Sequence, residues 1–462
     1  MYLWEATMAE TDTEKDFINT LKSSDGQNKH FLKLFDKTGQ EFVHFTGVGE
    51  EDKKSLEELK LRITCFFQEA LKLDTVSFLF GTGSSKPLGA ESINEIPSSI
   101  CQKIQQGGVK NACKMVVDSI SDNKCDTNAG CKINLEKLLG DLIRLNNVTT
   151  CFKGILNFKT NDAKKGEDDK EPDISNKVLE LIRLIKQELF TSCNVPITGR
   201  VFKEYEADPL IVHKEFIKKV LARPLNLKRI NLFTTNYDLA FEKTMDALGV
   251  IYIDGFVGNI KRTFKPEVYN YDYYFPASTT EGRVHRLDKV VHLYKLHGSL
   301  DWVEYSPDSK NIYGIEQKKD SARFDESIII YPQPMKEEET LGFPYSEMFR
   351  RFASIIQQPQ NVLITYGYGF GDEHINRVIY NALSISTFHL IVVSYGWTES
   401  LKRFYEMAKE DSRISFLIGE YLGDWKRFVY EMLPDIKQLE LEENIVKTMK
   451  KLKGEDKTEG DE

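Results

Sequence analysis

The stretch Val290-Val291-His292-Leu293-Tyr294-Lys295-Leu296-His297-Gly298-Ser299 decides how this chain folds. Val290 to Tyr294 is a short run rich in β-branched and aromatic residues, and it reads as a buried strand. Ending that strand in His-Gly-Ser delivers an imidazole to a sheet edge, where the glycine lets backbone turn and approach a ligand. In an open α/β sheet, ligands sit at the carboxyl ends of strands. A histidine there exchanges protons near neutral pH, so the placement points to chemistry.

Three other segments repeat the pattern. Val76-Ser77-Phe78-Leu79-Phe80 runs into Gly81-Thr82-Gly83-Ser84-Ser85, whose glycines are expected to leave bare N–H groups for a phosphate and whose serines add hydroxyls. Gly89 comes too late for the GxGxxG spacing, which excludes the dehydrogenase fingerprint. Ile230-Asn231-Leu232-Phe233 runs into Thr234-Thr235-Asn236-Tyr237-Asp238. The Asn236 carboxamide is both donor and acceptor, suited to holding a ribose hydroxyl or a water. Asp238 either contacts a sugar or forms an Asx turn ahead of a helix near Leu239. Asn361-Val362-Leu363-Ile364-Thr365-Tyr366 runs into Gly367-Tyr368-Gly369-Phe370-Gly371-Asp372-Glu373-His374. Here Asp372 is placed as an N-cap, and glycines spaced by two aromatics suggest a flat ligand lying on the backbone.

Taken together, these four strand ends resemble the sirtuin superfamily. More closely, the segments TTNYD, KLHGS and GYGFGDEH are similar to those of bacterial sirtuin-like proteins of anti-phage defence, over about residues 60–420. By that resemblance Asn236 and His297 are the catalytic pair. Gly81, Thr82, Gly83 and Ser84 fall on a pyrophosphate-binding turn, with Thr235, Asp238 and Ser299 beside it. Gly367, Gly369, Phe370, Gly371 and Asp372 fall on the adenosine side of NAD. The resemblance also implies homo-oligomers and a separately encoded HerA-type ATPase or Argonaute-like partner. No Walker motif occurs in this chain to supply ATP-driven work itself.

Composition sets limits. The chain has 462 residues, 41% hydrophobic, with formal net charge −9 and pI ≈ 5.6, enough for one large α/β domain with a helical subdomain. The acidic balance argues against direct nucleic-acid binding. No apolar run reaches membrane-spanning length, and Met1-Tyr2-Leu3-Trp4-Glu5-Ala6 lacks the pattern of a secretory leader. Seven cysteines with no pairing pattern suit a reducing cytoplasm. Sirtuin deacylases carry a zinc module on Cys-x-x-Cys pairs after the catalytic histidine. Here every cysteine precedes His297 and no Cys-x-x-Cys occurs, so no metal site and no zinc are expected.

The expected architecture is a Rossmann-like, doubly wound, mainly parallel sheet with a helical insertion. Residues 1–55 form an irregular extension, 56–434 the NAD-binding domain with the insertion at about 86–228, and 435–462 a charged tail. Helices are expected over about 56–73, 98–118, 134–146, 176–191, 209–222, 398–410 and 422–432, with a mobile loop at 159–172. The run Tyr269-Asn270-Tyr271-Asp272-Tyr273-Tyr274-Phe275 reads as a hairpin against the active site or as a subunit contact.

The expected activity is NAD glycohydrolysis, giving ADP-ribose and nicotinamide, held off until a trigger arrives. One rival is an NAD-dependent deacylase or ADP-ribosyltransferase using the same pocket. The other is a catalytically silent NAD or ADP-ribose sensor that scaffolds a partner.

Overall fold

Alternating burial along short apolar strands builds this molecule. In Thr75–Phe80, Val76, Phe78 and Phe80 join one apolar cluster while Leu79 joins another, so successive side chains enter cores on opposite faces of one sheet. The structure, a computed structural model, describes residues 29–33, 41–44, 50–91, 124–126, 130–132, 135–151, 174–194, 208–276, 284–309, 311–318, 327–329 and 342–436. The expected helix at 98–118, the loop at 159–172 and nearly all of the tail lie outside them.

Nine strands make the main sheet: Lys29–Lys33 (β1), Glu41–His44 (β2), Thr75–Phe80 (β3), Asn231–Thr234 (β4), Ile251–Ile253 (β5), Val290–Lys295 (β6), Asn361–Tyr366 (β7), Phe388–Ser394 (β8) and Ile414–Ile418 (β9). Their order is β2-β1-β9-β8-β7-β3-β4-β6-β5. The seven strands from β9 to β5 are parallel throughout, and β1 and β2 extend the sheet antiparallel. The expected α/β, doubly wound sheet is the one observed. Within the expected irregular extension, the described segments Lys29–Lys33 and Glu41–His44 are strands, and Phe31 pairs with Ile418 to continue the sheet.

Helices cover both faces. Glu50–Leu71 (α1), Ile211–Leu221 (α4) and Ala240–Leu248 (α5) bury Ile63, Phe67, Phe216, Phe241 and Met245 on the Phe78–Phe80 side. Phe216 meets Phe78 and Phe80 edge-on, with centroids 5.1 and 5.3 Å apart. Tyr345–Ile356 (α6) and Glu373–Leu383 (α7) bury Met348, Phe352, Ile375 and Ile379 on the Leu79 side. Within the expected insertion, Leu135–Cys151 (α2) and Ile174–Cys193 (α3) pack on each other. By contrast α4, inside the same stretch, belongs to the helix layer of the sheet. The expected helices near 398–410 and 422–432 are shorter: Lys402–Ala408 follows a 3-10 turn, and Trp425–Arg427 runs into a π turn.

A second, antiparallel sheet of five strands grows out of the His297 segment. Gly298–Glu304 lies between Ser327–Ile329 and Ile315–Gln317, and Arg262–Phe264 and Phe256–Val257 complete it. The aromatic run does form a hairpin, Tyr274–Pro276 paired with Val284–Arg286. Its described ion pairs lie away from the motif loops. Asp272 bridges Arg229 and Arg286 at 2.8 and 2.7 Å, and Arg286 donates to Leu225 O, all at the amino ends of β4 and β6. That edge is opposite the strand ends that carry the four motifs.

Candidate active site

β4 and β6 are adjacent and parallel, with Thr234 in register with Lys295. Asn236 and His297 each follow two residues beyond that shared rung. Neighbouring strands lie about 4.8 Å apart, so the topology alone brings the carboxamide and the imidazole to one strand-end region. The backbones stay stitched past the rung: Leu296 N donates to Thr234 O at 2.9 Å and Leu300 N to Tyr237 O at 3.1 Å.

Asn236 is locked from the β3 side. Its Nδ2 donates to Gly81 O at 2.9 Å, Ser84 Oγ at 3.1 Å and Ser85 Oγ at 2.9 Å. A carbonyl as partner fixes which end of the amide is nitrogen. With its donor end spent, the carboxamide oxygen is the end left to accept from a ribose hydroxyl or a water. Asp238 performs the Asx-turn role: Oδ1 accepts from Ala240 N at 2.9 Å and Oδ2 from Ser85 Oγ at 2.6 Å. Thr235 N donates to Phe80 O at 3.0 Å.

The Gly81–Ser85 turn differs from its expected form. Gly81 N donates to Tyr366 O, Gly83 N to Gly367 O, Ser84 N to Gly81 O and Ser85 N to Thr82 O, at 2.9–3.2 Å. Those four N–H groups are engaged inside the protein and are not a bare phosphate cradle. The glycines serve close packing of two loops instead. A Cβ on Gly81 would meet Gly367 O at 2.5 Å, and one on Gly83 would meet Gly367 Cα at 2.6 Å. Ser84 is fully buried, donating to Gly81 O at 3.0 Å, so it braces the turn.

The Gly367–Asp372 loop also departs from the flat-ligand expectation. The Tyr368 and Phe370 rings are buried, and Phe370 packs on Phe404 with centroids 4.9 Å apart. Phe370 takes a φ of 56°, and Asn376 Nδ2 holds its carbonyl at 2.8 Å. Gly369 and Gly371 are exposed. Phe370 and Gly371 border a cleft of ≈ 400 Å³ with Glu373 and Arg403 on its other walls. Asp372 sits at the N-cap of α7, but its side chain makes no capping hydrogen bond. Its carboxylate lies instead within 4.8 Å of ring nitrogens of His297 and His374.

Beneath the site is a buried polar cluster that the motif reading missed. Lys295 Nζ lies 3.0 Å from Glu242 Oε1, both nearly inaccessible, and donates to Asp238 O. Burial pushes the Glu242 carboxyl up to about 7 against the pull of Lys295, and Asp301 pushes the same way. Burial raises Asp301 as well, although Gln317 Nε2 donates to it at 2.7 Å. Ser299, expected beside the cofactor, is fully buried with its hydroxyl 3.5 Å from Tyr237 O, so it supports the Asn236 loop from below. On the other side, burial pushes His213 down to about 4, and the Cys193 thiol up to about 12. The sequence signal for His374 was its Asp-x-His spacing at a helix start; Lys295 and Glu242 gave none beyond being charges in apolar runs.

Among the described residues Cys65 and Cys193 are free thiols, and no helix is long and apolar enough to cross a membrane. No curated protein matches the chain. Similar solved structures include one described as a SIR2 homolog–NAD complex, 10% identical, with TM-score 0.35, covering 79% of this chain and 92% of that one. Another, from work on sirtuin substrate affinity, is 11% identical with TM-score 0.29, covering 79% and 97%. The family model described as a SIR2-like domain matches residues 230–413. That span contains both Asn236 and His297, so the similarity to a SIR2-like domain falls on the strand ends where the motifs converge.

Proposed function

We propose that this protein hydrolyses the bond between nicotinamide and ribose in NAD. The observation that carries the reading is the pairing of β4 with β6, which sends Asn236 and His297 out of one sheet edge two residues past the same rung. The SIR2-like match over that region supports NAD as the substrate.

Nicotinamide is a cationic leaving group, so its departure builds positive charge on the ribose. As the C1′–N bond breaks, its electron pair neutralises the pyridinium and water forms a new bond to C1′. His297 accepts the proton released by that water. The Asn236 oxygen, its amide nitrogen tied to the Gly81–Ser85 turn, orients the water or a ribose hydroxyl. The products are ADP-ribose, nicotinamide and a proton. Such an activity in a cell requires a trigger, and a role as a regulated effector of anti-phage defence fits the resemblance of the motifs.

Nicotinamide release from NAD alone, without any acylated peptide, is the deciding measurement, made on the full chain with and without its genomic neighbour's product. Steady release supports hydrolysis. Release that appears only with an acyl-peptide assigns the site to deacylation, and NAD that binds but survives incubation with the assembled protein assigns it to sensing.

A further inference from the structure

His297, Asp372 and His374 offer an imidazole nitrogen, a carboxylate oxygen and a second imidazole nitrogen, all within 4.8 Å of one another. They come from two elements far apart in sequence: the end of β6 and the first turn of α7. The imidazole centroids are 5.7 Å apart. Phe349 walls the group, its ring 4.7 Å from that of His374 and 6.5 Å from that of His297. His297 is buried and the other two are half-buried, so part of the group is open to a small ion.

We propose that these three side chains bind a divalent cation of the zinc class. Two imidazoles and one carboxylate suit a borderline ion, whereas magnesium and calcium favour all-oxygen shells. Zinc holds such donors at about 2.0–2.2 Å, which places ligand atoms roughly 3.3–3.5 Å apart around a tetrahedron. Donor atoms within 4.8 Å of one another need only a small approach to reach that spacing. Three protein ligands leave a fourth position open for water. The set contains no cysteine, so it is a different site from the cysteine module of deacylases.

Binding there has a functional consequence, which rests on the proposed hydrolysis. A cation on His297 occupies the ring lone pair that would accept the proton from water. The bound ion is thus an inhibitor, and its removal releases the enzyme. The binding itself does not depend on that reading.

The test is titration of the metal-free full chain with Zn²⁺ by calorimetry, and with Co²⁺ by its visible absorption. Wild type is expected to take up one equivalent, with His374→Ala and His374→Gln each weakening the affinity tenfold or more. Zinc-induced shifts of two imidazole resonances in ¹⁵N-histidine-labelled wild type, one of them absent from His374→Gln, report the same site without relying on an altered fold. Uptake unchanged by both variants, no stoichiometric uptake at all, or zinc-insensitive imidazole resonances overturns the proposal. NAD turnover is followed in parallel. Zinc uptake by a protein that never cleaves NAD leaves the site standing and removes the hydrolase reading; turnover in a protein that ignores zinc does the reverse.

Discussion

Lys295 Nζ and Glu242 Oε1 lie 3.0 Å apart in the interior, directly under the loop that carries Asn236. The same ammonium donates to the Asp238 carbonyl, so one buried cation ties a helix of the sheet layer to the active loop.

Removing one partner of such a pair leaves an uncompensated charge, at a cost of about 3–5 kcal/mol. Lys295→Met is expected to lose that much in urea unfolding. Glu242, already raised to about 7, then rises further, because the cation that held it down is gone. A raised carboxyl binds its proton in the folded state while the unfolded chain has released it. The variant's stability should therefore fall as pH rises from about 5 to 8. A flat profile would remove this account of the pair. Lys295→Met with Glu242→Leu should recover most of the loss.

His297→Ala and Asn236→Ala are each expected to reduce NAD cleavage at least about 100-fold. Their stabilities should differ. Asn236→Ala gives up bonds to Gly81 O and both serines, costing about 1–3 kcal/mol, and the Gly81–Ser85 turn loosens with it. Nicotinamide release and thermal midpoints, measured together, check both halves. Retained turnover in either variant would mean the roles are misassigned.

The seam between Gly83 and Gly367 makes a sharper steric prediction. Gly367 has φ 59°, and a Cβ there would meet Gly83 Cα at 2.5 Å. Gly367→Ala should cost about 2–5 kcal/mol through strain and overpacking together. Gly369→Ala and Gly371→Ala meet nothing within 4 Å and should change stability by less than about 0.5 kcal/mol. Equal losses at all three positions in chemical denaturation would contradict the loop packing.

Acid sensitivity should come in part from His213 and His292, both pushed by burial down to about 4. Unfolded histidine protonates near pH 6.5. Between about 6.5 and 4 the unfolded chain takes up a proton that these folded imidazoles refuse, so stability falls as pH falls; above 6.5 neither state is charged and the effect is absent. Near pH 4 each residue accounts for about 3 kcal/mol. His213 lies 5.2 Å from Trp425 and 5.6 Å from Phe241, ring to ring, a site that accepts phenylalanine. His213→Phe should remove about 2 kcal/mol of the loss between pH 7 and 5 in urea unfolding.

The parallel strands were legible because Val76–Phe80, Ile230–Phe233, Val290–Tyr294 and Asn361–Tyr366 are apolar runs bounded by turn residues, a local signal. The pairing of Asn236 with His297 was expected from the resemblance alone, and the register of β4 with β6 sets each two residues past one rung. What the sequence hid depends on distant partners. Gly81 and Gly83 have the appearance of a phosphate turn, but their packing requirement comes from Gly367. Tyr368 and Phe370 look like a ligand platform until their rings are found in the core. Ser299 to Trp302 carries no turn signal, yet it begins a second sheet whose partner strands come from the segments on either side. The place of the aromatic hairpin was set by Asp272 reaching Arg229 and Arg286, ion pairs that no periodicity reports.

The pairing of Phe31 with Ile418 has one more implication, for anyone shortening the protein. Lys33 Nζ reaches from β1 to the carbonyls of Asp411 and Ile414, at 3.0 and 2.6 Å, and is itself fully enclosed. A chain begun at α1 would keep every motif yet bare the Phe416–Ile418 backbone, a sticky margin open to strands of other molecules. Insolubility of such a truncated protein would then reflect a lost border strand, with its chemistry still in place.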